Sequence, residues 1–281
     1  MAELARPSEA PGSRRASLGQ AWDWLSFENA TASRSRFLAV HLALETLLII
    51  VGFQLYSIIA DHAPRHAQQA LGRTDRVLRA ERAVHLSPEL WVNTWWARSH
   101  LRETVGNYYY DGPHFIVTAL VLTLLLVLRP HRYRLYRDIL LVASLLALVV
   151  FWLCPVGPPR LLPSAGFVDT VARVRTFGAG GQHGITSAEN PFASMPSLHV
   201  GWALWVAMAS RALTDNRLLR ALAWCYPALT TFVVIATGNH LLADAAAAAV
   251  LLPLSSALVH VCLGARETTS REPARREVAS E

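Results

Sequence analysis

The chain has 281 residues, of which 53% are hydrophobic and only 16% are charged. Its mean hydropathy is +0.28. An ordinary soluble domain is about 45–50% apolar and about 25% charged, so this composition excludes a disordered chain and a disulfide-stapled secreted domain. The formal net charge is +6, and all 26 basic residues are arginines that lie mostly between apolar runs or in the polar ends. This placement is typical of the loops of a membrane protein and excludes a nucleic-acid-binding module.

Six apolar runs predict an all-α integral membrane protein whose six transmembrane helices form one bundle. A spanning helix needs about 20 apolar residues, and a shorter run can cross where the bilayer thins or flanking residues snorkel. The runs lie at 37–60, 108–128, 139–154, 198–213, 219–236 and 241–263.

Arginine placement predicts the orientation of this bundle. Four arginine clusters lie in the N-terminal tail, in the connections after the second and fourth runs, and in the C-terminal tail. With six spans all four clusters fall on one side, which the positive-inside rule assigns to the cytoplasm. We therefore predict that both termini are cytoplasmic. The predicted organisation is a polar tail over 1–35, a membrane domain over 36–264 with an outer loop over 155–197, and a polar tail over 265–281.

The connection over 61–100 departs from this pattern because it faces outward and yet carries six arginines. Trp91, Trp95 and Trp96 close the segment, and Trp91 and Trp95 are about one helical turn apart. This pattern favours an interfacial helical segment with an aromatic face in the headgroup region. An ordinary polar helix packed on the spans is the alternative.

The first polar constellation is the sequence CPVGPPR, which ends at Arg160 beyond the third run. Pro158 and Pro159 end the helix and fix an extended entry to the loop. They hold the guanidinium near the membrane surface, where it can bind a phosphate in bidentate fashion. The alternative is an interfacial arginine that meets lipid headgroups.

The second constellation opens the fourth run with the sequence MPSLH. Pro196 and Ser197 read as a helix start, through the first-turn preference of proline and the capping hydroxyl of serine. The free N–H groups of that helix form an anion site, and His199 lies in its first turn. An interfacial histidine without a catalytic role is the alternative for His199.

The third constellation, TGNHLLAD, opens the sixth run. Asn239 is a plausible helix cap, and this second helix N-terminus is a further site for phosphate oxygens. His240 and Asp244 are four residues apart and lie on one helical face, so the carboxylate can accept the ring N–H and leave the other nitrogen free to attack. A buried Asp–His pair that only joins helices is the alternative.

His114 lies in a polar cluster at the start of the second run, after Asn107 and three consecutive tyrosines. Together with Asn239 it is a candidate for a head-group pocket, and a hydrogen-bonded interface cluster is equally compatible with the pattern. No metal site is expected, because pairing of His240 with Asp244 already explains two of the three candidate ligands.

Arg160, the PSLH sequence at 196–199, and His240 with Asp244 follow one another along the chain on one predicted membrane face. In this order they resemble the type-2 phosphatidic-acid phosphatase superfamily of membrane lipid-phosphate phosphatases and phosphotransferases. More narrowly, PPR, MPSLHVGWALW and TGNHLLAD look like the branch that contains the inositol phosphorylceramide synthases. The resemblance covers about residues 107–252.

The resemblance implies a six-helix catalytic core and a metal-independent two-step reaction without a cofactor. In this reaction His240 is the nucleophile that forms a phosphohistidine, and Asp244 orients it. His199 protonates the leaving alcohol and then activates the acceptor, while Arg160 and Ser197 hold the phosphoryl oxygens. The implied partners are the bilayer and a phospholipid or other lipid phosphate, with no nucleic acid.

The sequence departs from the phosphatase pattern in its charges. That pattern has a lysine ahead of its Arg-Pro and a Ser-Arg pair before its last histidine, whereas this chain has no lysine and no arginine over 232–236. The departure favours transfer of a phosphorylated head group, such as phosphoinositol, to a hydroxyl acceptor. One alternative is a phosphatase that hydrolyses phosphatidic acid or a polyprenyl phosphate or pyrophosphate. A non-catalytic transporter or scaffold is a second alternative, but it would place charges at several depths rather than at the outer ends of three spans.

The outer loop carries apolar residues at spacings near three and four, which predict a short amphipathic helix lying over the site. These residues are Leu161, Leu162, Phe167, Val168, Val171 and Val174. A cover of this kind excludes water and favours transfer over hydrolysis. We expect the site to face the extracytoplasmic side of a cell membrane, most simply a bacterial plasma membrane.

Overall fold

The structure is a computed structural model that describes residues 67–174, residue 176 and residues 192–278, with side chains up to residue 262. It also describes eight isolated helical positions between 40 and 52, which belong to a separate unit formed by residues 1–56. The first predicted span therefore lies mostly outside the described residues. The fold below concerns the second unit.

The described part of this unit is helical and contains no β-strand, which confirms the all-α prediction for these residues. Its helices are α1 (Ala67–Ala83), α2 (Glu89–Trp96), α3 (His100–Asp111), α4 (Pro113–Leu128), α5 (Pro130–Leu153), α6 (Thr170–Arg173), α7 (Leu198–Leu213), α8 (Arg217–Ala236) and α9 (Leu242–Val278).

Among the described residues, three helices are long and apolar enough to cross a membrane, namely α5, α8 and the part of α9 up to Cys262. The pair α3 and α4 makes a fourth candidate if it forms one bent span. The outer faces of these helices carry exposed apolar side chains, such as Leu153 at 73% and Val261 at 70% exposure. An apolar surface of this extent is unfavourable in water and is expected against lipid. These features fit a multi-pass membrane protein.

The second predicted run is broken rather than continuous. Helix α3 ends at Asp111, α4 begins at Pro113, and the two axes are bent by 40°. Proline has no N–H and is favoured in the first turn of a helix, which explains why the new helix begins there. Gly112 between them donates its N–H to the Tyr108 carbonyl at 3.2 Å.

The short fourth run forms α7, the most enclosed helix of the bundle. It has 16 residues and is about 24 Å long, less than the hydrocarbon thickness of about 30 Å. Helices α4, α5, α8 and α9 all pack against it. Trp205 is fully buried, and its indole N–H donates to the Tyr136 carbonyl of α5 at 2.9 Å. Helix α7 thus presents its N-terminus to the site from inside the bundle.

The segment over 61–100 forms two helices, α1 and α2, in its described part. Trp91 and Trp95 lie on α2 with stacked rings and are exposed, as the predicted aromatic face requires. Helix α1 packs on the loop that carries Arg160. Its buried Thr74 donates to the Gly157 carbonyl at 2.8 Å and accepts from the Gly157 N–H at 3.0 Å. This segment therefore supports the loop that leads to Arg160.

The predicted amphipathic helix of the outer loop does not form as one helix. The chain makes two 3-10 turns, Pro159–Leu161 and Pro163–Ala165, and then the four-residue helix α6. Pro163 and Gly166, which has φ +78°, interrupt any longer helix between Leu161 and Val174. The spacing of the apolar residues was a misleading signal because the backbone breakers decide the local structure.

Candidate active site

The third constellation forms a buried histidine–aspartate pair. Helix α9 begins at Leu242, so His240 precedes the helix, yet its Nδ1 lies 3.2 Å from Oδ2 of Asp244 as the spacing predicts. The same oxygen accepts from the Leu241 N–H at 3.0 Å. Only 3% of His240 and none of Asp244 is exposed. Since a carboxylate accepts, Nδ1 carries the proton and Nε2 is left with a lone pair.

The MPSLH segment lies against the TGNHLLAD segment through a backbone hydrogen bond and through two neighbouring histidine rings. Ser197 is the N-cap of α7, and its hydroxyl accepts from the Val200 N–H at 3.4 Å. The Ser197 N–H donates to the Asp244 carbonyl at 3.1 Å. The ring centroids of His199 and His240 are 5.9 Å apart. The start of α7 and the start of α9 therefore lie against each other.

His199 is held by its surroundings on both faces of the ring. Nε2 lies 3.2 Å from the Tyr110 carbonyl, next to the break between α3 and α4. Because a carbonyl only accepts, Nε2 carries a proton, and Nδ1 is the nitrogen left for proton transfer. The Tyr110 ring stacks on His199 at 4.0 Å, and the His114 ring lies 4.1 Å away.

His114 is buried in the bundle, where its ring contacts His199 and Phe115. The second predicted head-group residue, Asn239, precedes His240 and bonds to Arg160 at 2.8 Å. A head-group role for both residues stays a prediction.

The first constellation reaches the third through Arg160. The backbone N–H of Arg160 donates to the Gly238 carbonyl at 3.0 Å, and its Nε donates to Asn239 Oδ1 at 2.8 Å. Gly238 has φ +73°, and a Cβ there would lie 3.2 Å from Arg160 Cβ, so both the turn and the close approach require glycine. The prediction that Asn239 caps the last helix is wrong, because its side chain bonds to Arg160 and Thr237 instead.

Two residues that the sequence analysis did not single out hold this arrangement. Nη1 of Arg160 donates to both carboxylate oxygens of Asp169, at 3.1 and 3.2 Å. Asn93 on α2 is fully buried, accepts from the Val168 N–H at 2.8 Å and donates to the Ala236 carbonyl at 3.0 Å. For Asp169 the sequence offered one signal, namely an acidic residue that follows Arg160 in the same loop and could pair with it. Asn93 had none, since its partners are distant in sequence.

The N-terminus of α9 is not open to phosphate, contrary to the prediction of an anion site there. The Leu242 N–H donates to Glu89 Oε1 at 3.0 Å, and the Ala243 N–H donates to Glu81 Oε1 at 2.7 Å. Free N–H groups and the positive end of the helix dipole attract an anion, and the chain itself supplies one from α1 and one from α2. Burial, with a contribution from Glu89 and Asp244, raises the pKa of Glu81 to about 7. The anion site expected at the N-terminus of α7 stays a prediction.

Other arginines near the loop are paired elsewhere. Arg102 lies over the Trp95 ring at 4.2 Å and donates to the Trp95 carbonyl at 2.7 Å. Arg173 pairs with Glu103 at 3.2 Å. Arg175 lies outside the described residues. Within the part of the chain that the structure describes, Arg160 is therefore the arginine that contacts the turn carrying His240.

Together these residues include the kinds of group that phosphoryl transfer uses. Such chemistry needs a nucleophile, a proton donor and positive groups around the equatorial oxygens. No curated protein and no solved structure matches the chain. The family model described as the PAP2 superfamily matches residues 75–258, well over half of the 281 residues and including all three constellations. The chain therefore belongs to the type-2 phosphatidic-acid phosphatase (PAP2) superfamily and is an enzyme of its phosphatase and phosphotransferase class.

Proposed function

We propose that the protein is a metal-independent phosphotransferase that moves a phosphorylated lipid head group, such as phosphoinositol, through a phosphohistidine on His240. Membership of the superfamily supports action on lipid-linked phosphate in a membrane. One observation carries the finer proposal, namely that Arg160, Ser197, His199 and the His240–Asp244 pair meet through direct contacts although the sequence separates them.

In the first step Nε2 of His240 attacks the phosphorus of the lipid substrate. His199 enters this step protonated on both ring nitrogens, with Nε2 bonded to the Tyr110 carbonyl. The bond between phosphorus and the lipid oxygen breaks, and His199 gives its Nδ1 proton to that oxygen, so a neutral alcohol leaves. Asp244 stabilises the positive charge that develops on the His240 ring. Arg160, the Ser197 hydroxyl and the N–H groups at the start of α7 hold the non-bridging oxygens.

In the second step His199, now neutral, takes the proton of an acceptor hydroxyl. The acceptor oxygen attacks phosphorus, and the bond between phosphorus and Nε2 breaks. His240 returns to its starting state and His199 is again protonated. With water as the acceptor the same two steps amount to hydrolysis, which makes a lipid phosphate phosphatase the alternative outcome.

Burial supports transfer over hydrolysis. His240, Asp244 and Ser197 are all buried, and Nε2 of His240 has no hydrogen-bond partner among the described residues. The loop over 156–174 lies against this turn through Arg160 and Asn93. A site enclosed in this way restricts bulk water and favours a hydroxyl acceptor that binds beside the phosphohistidine.

We further propose six spans with both termini in the cytoplasm and the site at the extracytoplasmic face of a bacterial plasma membrane. The arginine clusters support this orientation. Arg160 lies in the loop that follows α5, and the other site residues lie at the starts of α7 and α9, as expected if one membrane face holds all three. The polar tails over 1–35 and 265–281 belong to this proposal.

The test is incubation of the purified protein with phosphatidylinositol, phosphatidic acid and other phospholipids, with and without a lipid alcohol, followed by mass spectrometry. We expect head-group transfer that orthovanadate inhibits and EDTA leaves intact. His240→Ala is expected to abolish turnover, whereas the control His131→Ala, an exposed histidine on α5, is expected to retain it. Rapid release of phosphate from phosphatidic acid that no alcohol diverts would establish the phosphatase alternative.

A further inference from the structure

The start of α9 is held by three carboxylates, two of which come from residues far from α9 in the sequence. Leu241, Leu242 and Ala243 donate their N–H groups to Asp244, Glu89 and Glu81, respectively. The first N–H groups of a helix have no partner within the helix, so these three bonds satisfy donors that need an acceptor. Glu81 and Glu89 reach this point from α1 and α2, outside the helices that carry the three motifs.

Both glutamates are buried to an extent that a helix cap does not require. Glu81 is 7% exposed and Glu89 is fully buried, and Oε2 of each has no hydrogen-bond partner among the described residues. Serine, threonine, asparagine or aspartate caps an ordinary helix at the surface without this cost. Two buried acids at one helix start therefore call for a role beyond capping.

These bonds fix the backbone that positions the nucleophile. His240 and Asp244 flank the three capped amides, and the same turn carries Gly238 and Asn239, which contact Arg160. A displacement of Leu242 and Ala243 would move the carboxylate that sets the tautomer of His240. Since placement within about 0.5 Å separates a productive site from a weak one, small movements at this point have a large effect on rate.

We propose that Glu81 and Glu89 are positioning residues that hold His240 and Asp244 in their reactive geometry through the amides of Ala243 and Leu242. This inference rests on the proposed function, because it assigns the two acids to the phosphohistidine step. It also extends the functional site to α1 and α2, the helices of the segment over 61–100.

The charges around Glu81 add a pH dependence. The groups that face it are Glu89 on α2 and Asp244 on α9, both acidic, while Arg160 in the turn packed on α1 bonds to Asp169 and Asn239. The pKa of Glu81 is raised to about 7. A raised folded-state pKa means that the folded protein holds this proton more tightly than the unfolded chain. Stability is therefore lost as pH rises from about 4.5 through about 7.

The experiment compares alanine and glutamine at each position in the full-length protein. Glutamine keeps an oxygen that accepts the backbone N–H, whereas alanine removes it. Rapid-quench assays with p-nitrophenyl phosphate give the rate constant of phosphohistidine formation at saturating substrate, and titration with orthovanadate gives anion affinity. Asp75→Asn on the exposed face of α1 is the matched control and is expected to behave as wild type.

We expect Glu81→Ala and Glu89→Ala to lower that rate constant by about tenfold or more, the equivalent of one charge-assisted hydrogen bond. Vanadate affinity is expected to change far less, and the glutamine variants are expected to recover most of the rate. Glu81→Gln should also remove the loss of melting temperature that wild type undergoes as pH rises from about 4.5 to about 7.

Alanine variants that form phosphohistidine within twofold of wild type would overturn the inference, as would glutamine variants no faster than alanine. If the alanine variants do not fold, Glu81→Gln alone is compared with wild type. The inference is then overturned if the pH dependence of the rate constant and of the melting temperature is the same in both proteins. If wild type forms no phosphohistidine from any donor, the proposed function fails instead. The melting profiles then still report whether the acids cap α9, so the two failures are distinguishable.

Discussion

Replacing Asp244 with asparagine tests the role of the carboxylate charge. Asp244 Oδ2 accepts from both the Leu241 N–H, at 3.0 Å, and Nδ1 of His240, at 3.2 Å. Asparagine has the same shape, and its oxygen in this position keeps both bonds and therefore the tautomer of His240. The variant lacks the negative charge that stabilises the positive ring formed when Nε2 attacks.

The lost charge sets the size of the expected effect. Removing the charge from a buried hydrogen bond costs about 1.5–3 kcal/mol, which is roughly a 10- to 150-fold loss of rate. We therefore expect phosphohistidine formation to slow by roughly 10- to 150-fold in Asp244→Asn.

The assay is a single-turnover reaction with p-nitrophenyl phosphate, quenched and analysed for phosphohistidine by mass spectrometry. The melting temperature is expected not to fall, because a neutral side chain replaces a buried charge without loss of the backbone contact. The control is Asp138→Asn. Asp138 lies in the first half of α5, where it pairs with its neighbour Arg137. A loss of less than about threefold in Asp244→Asn would refute the role of this pair in setting the nucleophile.

Three further predictions follow from the same geometry. His199→Ala should slow formation of the intermediate strongly for a phospholipid and much less for p-nitrophenyl phosphate, whose leaving group needs little protonation; equal losses in single turnover would exclude His199 as the acid. Arg160→Lys should weaken orthovanadate binding by about tenfold, since lysine lacks the planar guanidinium that binds two oxygens at once. Asp169→Asn should strengthen it by roughly two- to fivefold, because it removes an anion that competes for Arg160. An unchanged affinity in isothermal titration would contradict the prediction for that variant. In a cysteine-free background, cysteines at Ser164 and Ser270 should be labelled from opposite sides of the membrane, and labelling of both from one side would reject the proposed topology.

Local patterns in the sequence were sufficient for the core of the candidate site. The spacing of His240 and Asp244 predicts their contact, and the position of Ser197 before an apolar run predicts the N-cap of α7. Both contacts depend on residues no more than four positions apart. Such short-range contacts are set by the local backbone at a helix start, which the sequence pattern reflects directly.

Contacts between distant segments were beyond the reach of the pattern. Glu81, Glu89 and Asn93 lie in a segment whose arginines and tryptophans indicated only an interfacial position, and their partners are 75 to 162 residues away. A glutamate in an arginine-rich helix has the signature of a solvated surface. Only the packing of α1 and α2 against the start of α9 turns these side chains inward.

The N-terminus of α9 is occupied by carboxylates, whereas that of α7 is proposed to bind phosphate. This difference bears on how Arg160 alone among the described arginines can serve the phosphate. The α9 end is filled by Glu81 and Glu89, so the acidic groups behind His240 favour the positive ring that its attack produces. The α7 end remains for the phosphate, with Arg160 near the same turn. Under the proposed mechanism the buried carboxylates stabilise the positive histidine ring, and the guanidinium of Arg160 stabilises the phosphoryl oxygens. The same carboxylates repel an incoming phosphate, and a proton on Glu81 reduces that repulsion without releasing the Ala243 amide. Under this proposal a proton on Glu81 eases the binding of phosphate while the nucleophile stays aligned.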